Sequence, residues 1–193
     1  DIHALNEQPK QALASYDKAI KLNPGLFYGY LRRGQLAYKL ERPEQARTSL
    51  ERSLELLPTA EAHYLLGMLD RDAGDLDSAI AHFQEAARSN SESGRKAVRE
   101  LVAIDLPANP SRYVGVRLGL DGQNTVWVQL INPTPLAIRD IEISYAWLDD
   151  RGQTRQEVKR YAGPLAPQEQ DEMSLGIRLN SASELDRRVR AEG

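Results

Sequence analysis

The sequence of 193 residues contains no cysteine, which excludes disulfide bonds, thiolate-bound metal and a cysteine nucleophile. It also lacks any apolar run near the roughly 18 residues that a membrane-spanning helix needs, so membrane insertion of this chain is not expected. No charge of one sign dominates. The 25 Lys and Arg against 28 Asp and Glu leave a formal net charge of -3, and with a pI near 5.7 there is no electrostatic footprint for nucleic acid. Histidine is scarce: His3, His63 and His82 are far apart in sequence, and none belongs to a helical metal motif such as His-Glu-x-x-His. Neither a Gly-x-Ser-x-Gly elbow nor a Walker glycine loop occurs. Gly115, Gly119 and Gly122 fall in strand and turn patterns, not in a phosphate cradle. Asp70, Asp72, Asp75 and Asp77 cluster, but without the loop spacing and distal bidentate Glu of a calcium site; they read as charge around a helix end and the next helix start. The sequence therefore offers no catalytic residue, no metal ligand set and no cofactor of its own, and the chain is expected not to be an enzyme.

What is present is repetition. A shift of 34 residues superimposes Pro9 on Pro43, Ala12 on Ala46, Tyr16 on Leu50 and Pro24 on Pro58. A third copy arrives one residue early, matching Ala46 to Ala79, Leu50 to Phe83 and Gly34 to Gly67. Small Gly34, Gly67, Ala12, Ala46 and Ala79 sit where two antiparallel helices approach closely, and Tyr16, Leu50 and Phe83 fill the space beside them. Pro9 and Pro43 suit a helix first turn, Asp75 suits a cap, and Pro24 and Pro58 stop the helices before them.

Tyr30-x2-Arg33-Gly34-x2-Ala37, Ala46-x3-Leu50 and Pro58, with His63-x2-Leu66-Gly67 and Ala79-x3-Phe83-x2-Ala86, resemble the tetratricopeptide repeat, a helix-turn-helix unit of this period. The sequence departs from that pattern at Arg33, Ser53 and Ser91, and the array is expected to end at Ser91. The spacing predicts a helix over 10–22, helix pairs over 26–40 with 43–56 and 60–72 with 75–89, and a capping helix over 93–104. The repeats then occupy about 1–25, 26–59 and 60–91 within a helical domain over 1–106. Asp1 is not preceded by methionine and residues 1–8 read as the tail of a repeat, so a longer parent protein is expected; 187–192 alternates like a strand that barely starts.

Residues 107–111 form a Pro-containing linker, expected to be extended, short and stiff, and to give the two domains a preferred orientation. The composition then changes to Val, Ile, Thr, Tyr and Trp. Alternation over 113–120 and 125–132 around Asp121-Gly122-Gln123-Asn124 predicts a hairpin. Further strands follow over 138–148, about 153–161 and 173–179, with Ile141, Ile143, Tyr145 and Trp147 on an inner face. The fold class expected is α+β in two domains: an α-α superhelix of repeat pairs with a cap, then an antiparallel immunoglobulin-like β-sandwich over 112–193. The immunoglobulin Cys…Trp…Cys pattern is absent.

Asn132-Pro-Thr-Pro-Leu-Ala-Ile-Arg-Asp-Ile-Glu-Ile-Ser-Tyr145, Asp149-Asp-Arg-Gly152 and Gly163-Pro-Leu-Ala-Pro-Gln168 resemble the small bacterial sandwiches called FxLYD-like. Repeats, linker and sandwich together look like the C-terminal, non-catalytic region of repeat-containing bacterial periplasmic zinc metallopeptidases. That resemblance implies a periplasmic parent engaged in envelope protein quality control, with zinc held by a His-Glu-x-x-His helix in a separate upstream domain. No such helix occurs here, so no catalytic residue carries over.

The resemblance to the repeat family implies a groove lined by the first helices of each pair: Tyr28, Leu31, Gln35, Tyr38 and Lys39, then Glu61, Tyr64, Met68, Arg71 and Asp72. Tyrosine and methionine suit adaptable contacts with a peptide or protein segment, or else the tyrosines pack between helices. The Lys and Asn carboxylate clamp of some family members is replaced by Leu31 and Gln35. Tyr113 and Trp127 form a second candidate, either a partner-facing aromatic patch or a surface buried against the helical domain. The function expected is a protein-protein interaction module. The alternatives are a structural or autoregulatory module whose groove its own parent fills, or a carbohydrate-binding sandwich; the oligomeric state stays open.

Overall fold

The computed structural model describes residues 9–192; the repeat tail expected over 1–8, with His3, lies outside the described residues. Six helices come first: α1 (Pro9–Leu22), α2 (Phe27–Lys39), α3 (Pro43–Leu56), α4 (Ala60–Asp72), α5 (Leu76–Ala87) and α6 (Glu92–Asp105). Their starts follow the local chemistry. Pro43 occupies the first turn of α3, where a missing N–H costs nothing. Thr59 and Asp75 accept from Ala62 N and Ser78 N to cap α4 and α5. Ser91, in place of the closing proline, accepts from Gly94 N at 3.2 Å and so starts α6 where an array without a cap would stop.

Within each pair the helices meet at a glycine. A Cβ on Gly34 would lie 2.7 Å from Leu50 Cγ and 3.2 Å from the Ala46 carbonyl, and one on Gly67 would lie 2.7 Å from Phe83 Cδ1. Leu50 and Phe83 are fully buried, with Ala46, Ala79 and Ala86. The departures from the repeat pattern have partners. Arg33 donates to Ser49 Oγ at 2.9 Å and Asp17 Oδ1 at 3.1 Å, tying α2 to α3 and α1; buried Ser53 donates to the Phe27 carbonyl.

The chain divides into two compact units, after Leu101 and so inside α6. In the second unit, residues 107–111 are not extended. The Asp105 carboxylate accepts from Asn109 Nδ2 at 2.7 Å, Arg112 Nη1 at 2.9 Å and the Tyr113 hydroxyl at 2.7 Å. Its carbonyl accepts from Ala108 N and Asn109 N, and a 3-10 turn spans Pro110–Arg112. Proline stiffness suggested an extended tether, but one aspartate gathers four residues into a folded turn. The bonds from Tyr113 and Asn109 hold its carboxyl below the ordinary value.

The strands are β1 (Gly115–Leu120), β2 (Thr125–Ile131), β3 (Glu142–Leu148), β4 (Thr154–Arg160), β5 (Gln170–Arg178) and β6 (Val189–Glu192), the last preceded by the short helix α7 (Leu185–Arg188). They form two three-stranded antiparallel sheets of order β1-β2-β5 and β4-β3-β6, which share one core containing Val126, Val128, Leu130, Ile143, Leu175, Ile177 and Val189. Asp121 accepts from Gln123 N and Thr125 N, and Asp149 from Arg151 N and Gln153 N, so each aspartate closes its own turn. The expected strand from 138 begins only at Glu142; Ile138 instead makes an isolated bridge to Leu165. Arg187 and Arg188 are helical rather than extended, because the Arg188 guanidinium reaches the Leu148 carbonyl and Glu184.

Buried Asn132 pins the loops. Its Nδ2 donates to the carbonyls of Leu136, Leu165 and Ala166 at 2.7, 2.9 and 3.0 Å, and its Oδ1 accepts from Thr134 N and Oγ1. Every polar group of the side chain is thereby satisfied, as burial requires.

Gly67→Ala is expected to destabilise the first unit by about 1–3 kcal/mol, since the ring of Phe83 must give way in a packed interior. Urea unfolding of the variant measures this; wild-type stability would show that the helices have slack at the crossing.

Candidate interaction face

The exposed stripe of α2 and α4 is built by helical spacing. Positions 28, 32, 35 and 39 fall on one side of α2, whereas Phe27, Leu31, Gly34 and Ala37 turn toward the neighbouring helices. Leu31 is therefore not a groove residue: it is 3 % exposed and sits in the core with Leu50, Leu65 and Leu66. Arg32 takes the place that sequence reading gave to Leu31. Its guanidinium lies 4.8 Å from the centre of the Tyr28 ring, and its Nη1 donates to Gln35 Oε1 at 2.6 Å and Glu61 Oε1 at 3.2 Å. A count at spacings of four and three from Tyr28 finds Arg32.

Two recesses open along this face. One of about 680 Å³ is lined by Arg32 and Gln35 of α2, Glu61 and Tyr64 of α4, and Glu92, Ser93 and Lys96 of α6. Another of about 610 Å³, at the far ends of the helices, is lined by Tyr38, Lys39, Leu69 and Asp72. Of the expected groove residues, Gln35, Glu61 and Tyr64 thus share one recess and Tyr38, Lys39 and Asp72 the other. Tyr28 is 45 % exposed, and Met68 is half-buried on α4. Lys96 and Glu100 of α6 belong to the same surface and were missed, because α6 reads as a cap with a charged outer side rather than as a third lining helix.

The face is tied across its helices by polar contacts. The Tyr38 hydroxyl donates to Asp72 Oδ2 at 3.0 Å; burial, then this bond, push its ionisation up to about 12. Arg71 donates to Glu100 Oε2 at 2.6 Å and Asp72 Oδ1 at 2.9 Å. Desolvation works against the Arg71 charge, but those two carboxylates outweigh it and the guanidinium is held above its ordinary value. Burial, then the Glu100 charge, raises Tyr64. The tyrosines therefore stay neutral and can donate hydrogen bonds at neutral pH. The face carries both charge signs in pairs, Arg32 with Glu61 and Lys96 with Glu92, so it has no bias toward a strongly acidic or basic ligand.

On the opposite side of α4 lies a cluster that sequence distance concealed. His63 Nδ1 and His82 Nδ1 are 3.1 Å apart, and His82 Nε2 faces Asp70 Oδ2 at 3.7 Å. Asp70 Oδ1 accepts from Arg47 Nη2 at 2.6 Å. Among the described residues, no group of three or more His, Asp or Glu is placed to hold a metal ion. Asp75 and Asp77 mark the start of α5 as expected, whereas Asp70 is a buried ion-pair partner.

In the second unit, Tyr113 and Trp127 do not share a patch. Trp127 pairs with Gly119 across β1 and β2, and its ring fills the space over that glycine, where a Cβ would fall 2.1 Å from Cζ2. Tyr113 precedes β1 and spends its hydroxyl on Asp105.

A repeated pair of antiparallel helices with small residues at each crossing defines an α-helical repeat array. The family model for the tetratricopeptide repeat matches residues 31–94, so this chain carries a tetratricopeptide repeat region followed by antiparallel sheets. Over 88 residues it is 33 % identical to anaphase-promoting complex subunit 3 of Schizosaccharomyces pombe, a match covering 45 % of this chain and 13 % of that protein; the chain thus spans about an eighth of that relative's length. The crystal structure of MamA is similar at a TM-score of 0.51 and 24 % identity, over 56 % of this chain and 64 % of that one, which shows a shared fold. A thermophilic tetratricopeptide repeat protein of Thermus thermophilus aligns over 54 % of each chain at 28 % identity and a TM-score of 0.45.

Arg71→Met, which removes the ties to Asp72 and Glu100, is expected to cost about 1 kcal/mol, because both pairs are partly solvent-screened. Urea unfolding at low and high salt checks this: the deficit should shrink in high salt, and a deficit independent of salt would assign Arg71 to packing instead.

Proposed function

We propose that the helical unit is a non-catalytic protein-protein interaction module in which the α2, α4 and α6 face holds a peptide or protein segment. The observation that carries this reading is the pair of recesses along α2 and α4, lined by Tyr38 and Tyr64 and by Arg32, Gln35, Lys96 and Asp72. Aromatic rings with hydroxyl donors beside paired charges supply apolar contact and orientation without demanding one ligand charge. The tetratricopeptide repeat match over 31–94 supports the same class.

We further assign the two-sheet unit to the FxLYD-like, immunoglobulin-like sandwiches, on its shared core and on the Asn132 and Asp149 motifs that organise its loops. The whole chain is then read as the accessory C-terminal region of a periplasmic zinc metallopeptidase of envelope quality control, with zinc and catalysis in a separate domain. In that role the face presents a segment to a neighbouring catalytic domain and performs no bond-breaking itself.

Two measurements check this. Among peptides arrayed and then titrated by fluorescence anisotropy, a binder should lose at least about tenfold in affinity with the Tyr38→Ala, Tyr64→Ala double variant, the loss expected for two central aromatic contacts; unchanged affinity would reject the face. This chain with added zinc should show no peptidase turnover, and appreciable turnover would overturn the non-catalytic assignment.

A further inference from the structure

We propose that His63 and His82 form a one-proton latch between α4 and α5, a pair that closes with at most one shared proton and is forced open when acid supplies a second. The proposal does not rest on what the interaction face binds. The two rings lie with centroids 5.4 Å apart and planes tilted by 43°, and their Nδ1 atoms are 3.1 Å apart. At that separation one nitrogen must carry a hydrogen and the other a lone pair, because two N–H groups would point at each other. Asp70 selects the arrangement. Its side chain is 4 % exposed; Oδ1 is taken by Arg47, and Oδ2 has no hydrogen bond among the described residues while facing His82 Nε2. That carboxylate oxygen draws the His82 hydrogen to Nε2, so His82 Nδ1 accepts from His63 Nδ1–H.

One added proton, taken from solvent on His63 Nε2, leaves this hydrogen bond intact. A second must go to the last lone pair, His82 Nδ1, where it replaces the hydrogen bond by two facing N–H groups on two cations. Of the charges around the pair, only Asp70 favours the added cation, and it cannot relieve the two facing N–H groups. From α3, Arg47 adds a positive charge and already occupies half of Asp70; from α5, Glu85 is paired with Arg88 at 2.9 Å; on α4 itself, Asp70 is the remaining carboxylate. Burial, then His82, keep His63 below its ordinary value, with Glu85 opposing. A His held lower in the folded chain than in the unfolded one contributes stability that is full above the unfolded value of about 6.5 and is lost as pH falls through the folded one. The latch therefore weakens on the acid side.

The test follows the histidine rings of the whole chain by heteronuclear NMR from pH 8 to 5 in the presence of a chelator, together with the urea midpoint over the same range. The wild-type pair should take up its two added protons in separate steps rather than one, the second coinciding with loss of α4 and α5 amide signals. His63→Gln and His82→Gln, which keep a hydrogen-bonding group but cannot charge, should each flatten the acid-side fall of the urea midpoint. If both rings titrate together near 6.5, or if both glutamine variants keep the wild-type pH profile of stability, the latch is wrong. Should a variant fail to fold, the wild-type titration decides alone.

Discussion

The contact of a large side chain on a glycine holds this architecture together. Leu50 against Gly34 and Phe83 against Gly67 fix how closely the helices of each pair approach, and with no Cβ in between, the distance is set by side-chain radius rather than by charge or hydrogen bonding. Everything displayed on the opposite side of α2 and α4 inherits that spacing. Arg32 reaches Glu61, and Tyr38 reaches Asp72, only because the successive first helices are held at this pitch. The polar ties then stiffen a surface that apolar packing has already positioned, which is the order of magnitudes expected when exposed ion pairs are weak and core contacts strong.

The repeats were legible because their chemistry is local and recurs. Proline at a helix start, glycine at a crossing and alanine against it appear at fixed spacing, so the boundaries of α1 to α6 could be read within one or two residues. What could not be read depended on contacts between residues far apart in sequence. Leu31 was assigned to the groove although its stripe with Gly34 and Ala37 faces inward, and Arg32 was overlooked one position away. His63 and His82 looked unrelated until the α4 and α5 crossing put their rings together. Asp70 read as one of a cluster of charges around a helix end, and it is in fact buried against Arg47 from the preceding repeat.

The second unit shows the same division. Alternation located its strands, and Asp-Gly and Asp-Arg-Gly located its turns. Proline content, however, suggested a stiff tether where Asp105 instead gathers Asn109, Arg112 and Tyr113 into a turn. Asn132 carried a motif resemblance at the level of sequence; structurally it is the buried amide that joins two loops through three carbonyls. Such hubs have no periodicity, so pattern reading passes over them.

A helical array that holds its shape by core packing and displays a paired-charge, tyrosine-bearing face is consistent with a protein-protein interaction module. The most direct measurement places a photoreactive amino acid in this chain at Tyr64 or Met68 on that face, and at exposed Glu51 or Gln84 on α3 and α5. Discrete protein adducts from Tyr64 and Met68, absent from Glu51 and Gln84, are the expected result. Adducts only from Glu51 and Gln84, or none from the α4 positions, would contradict the role assigned to this face.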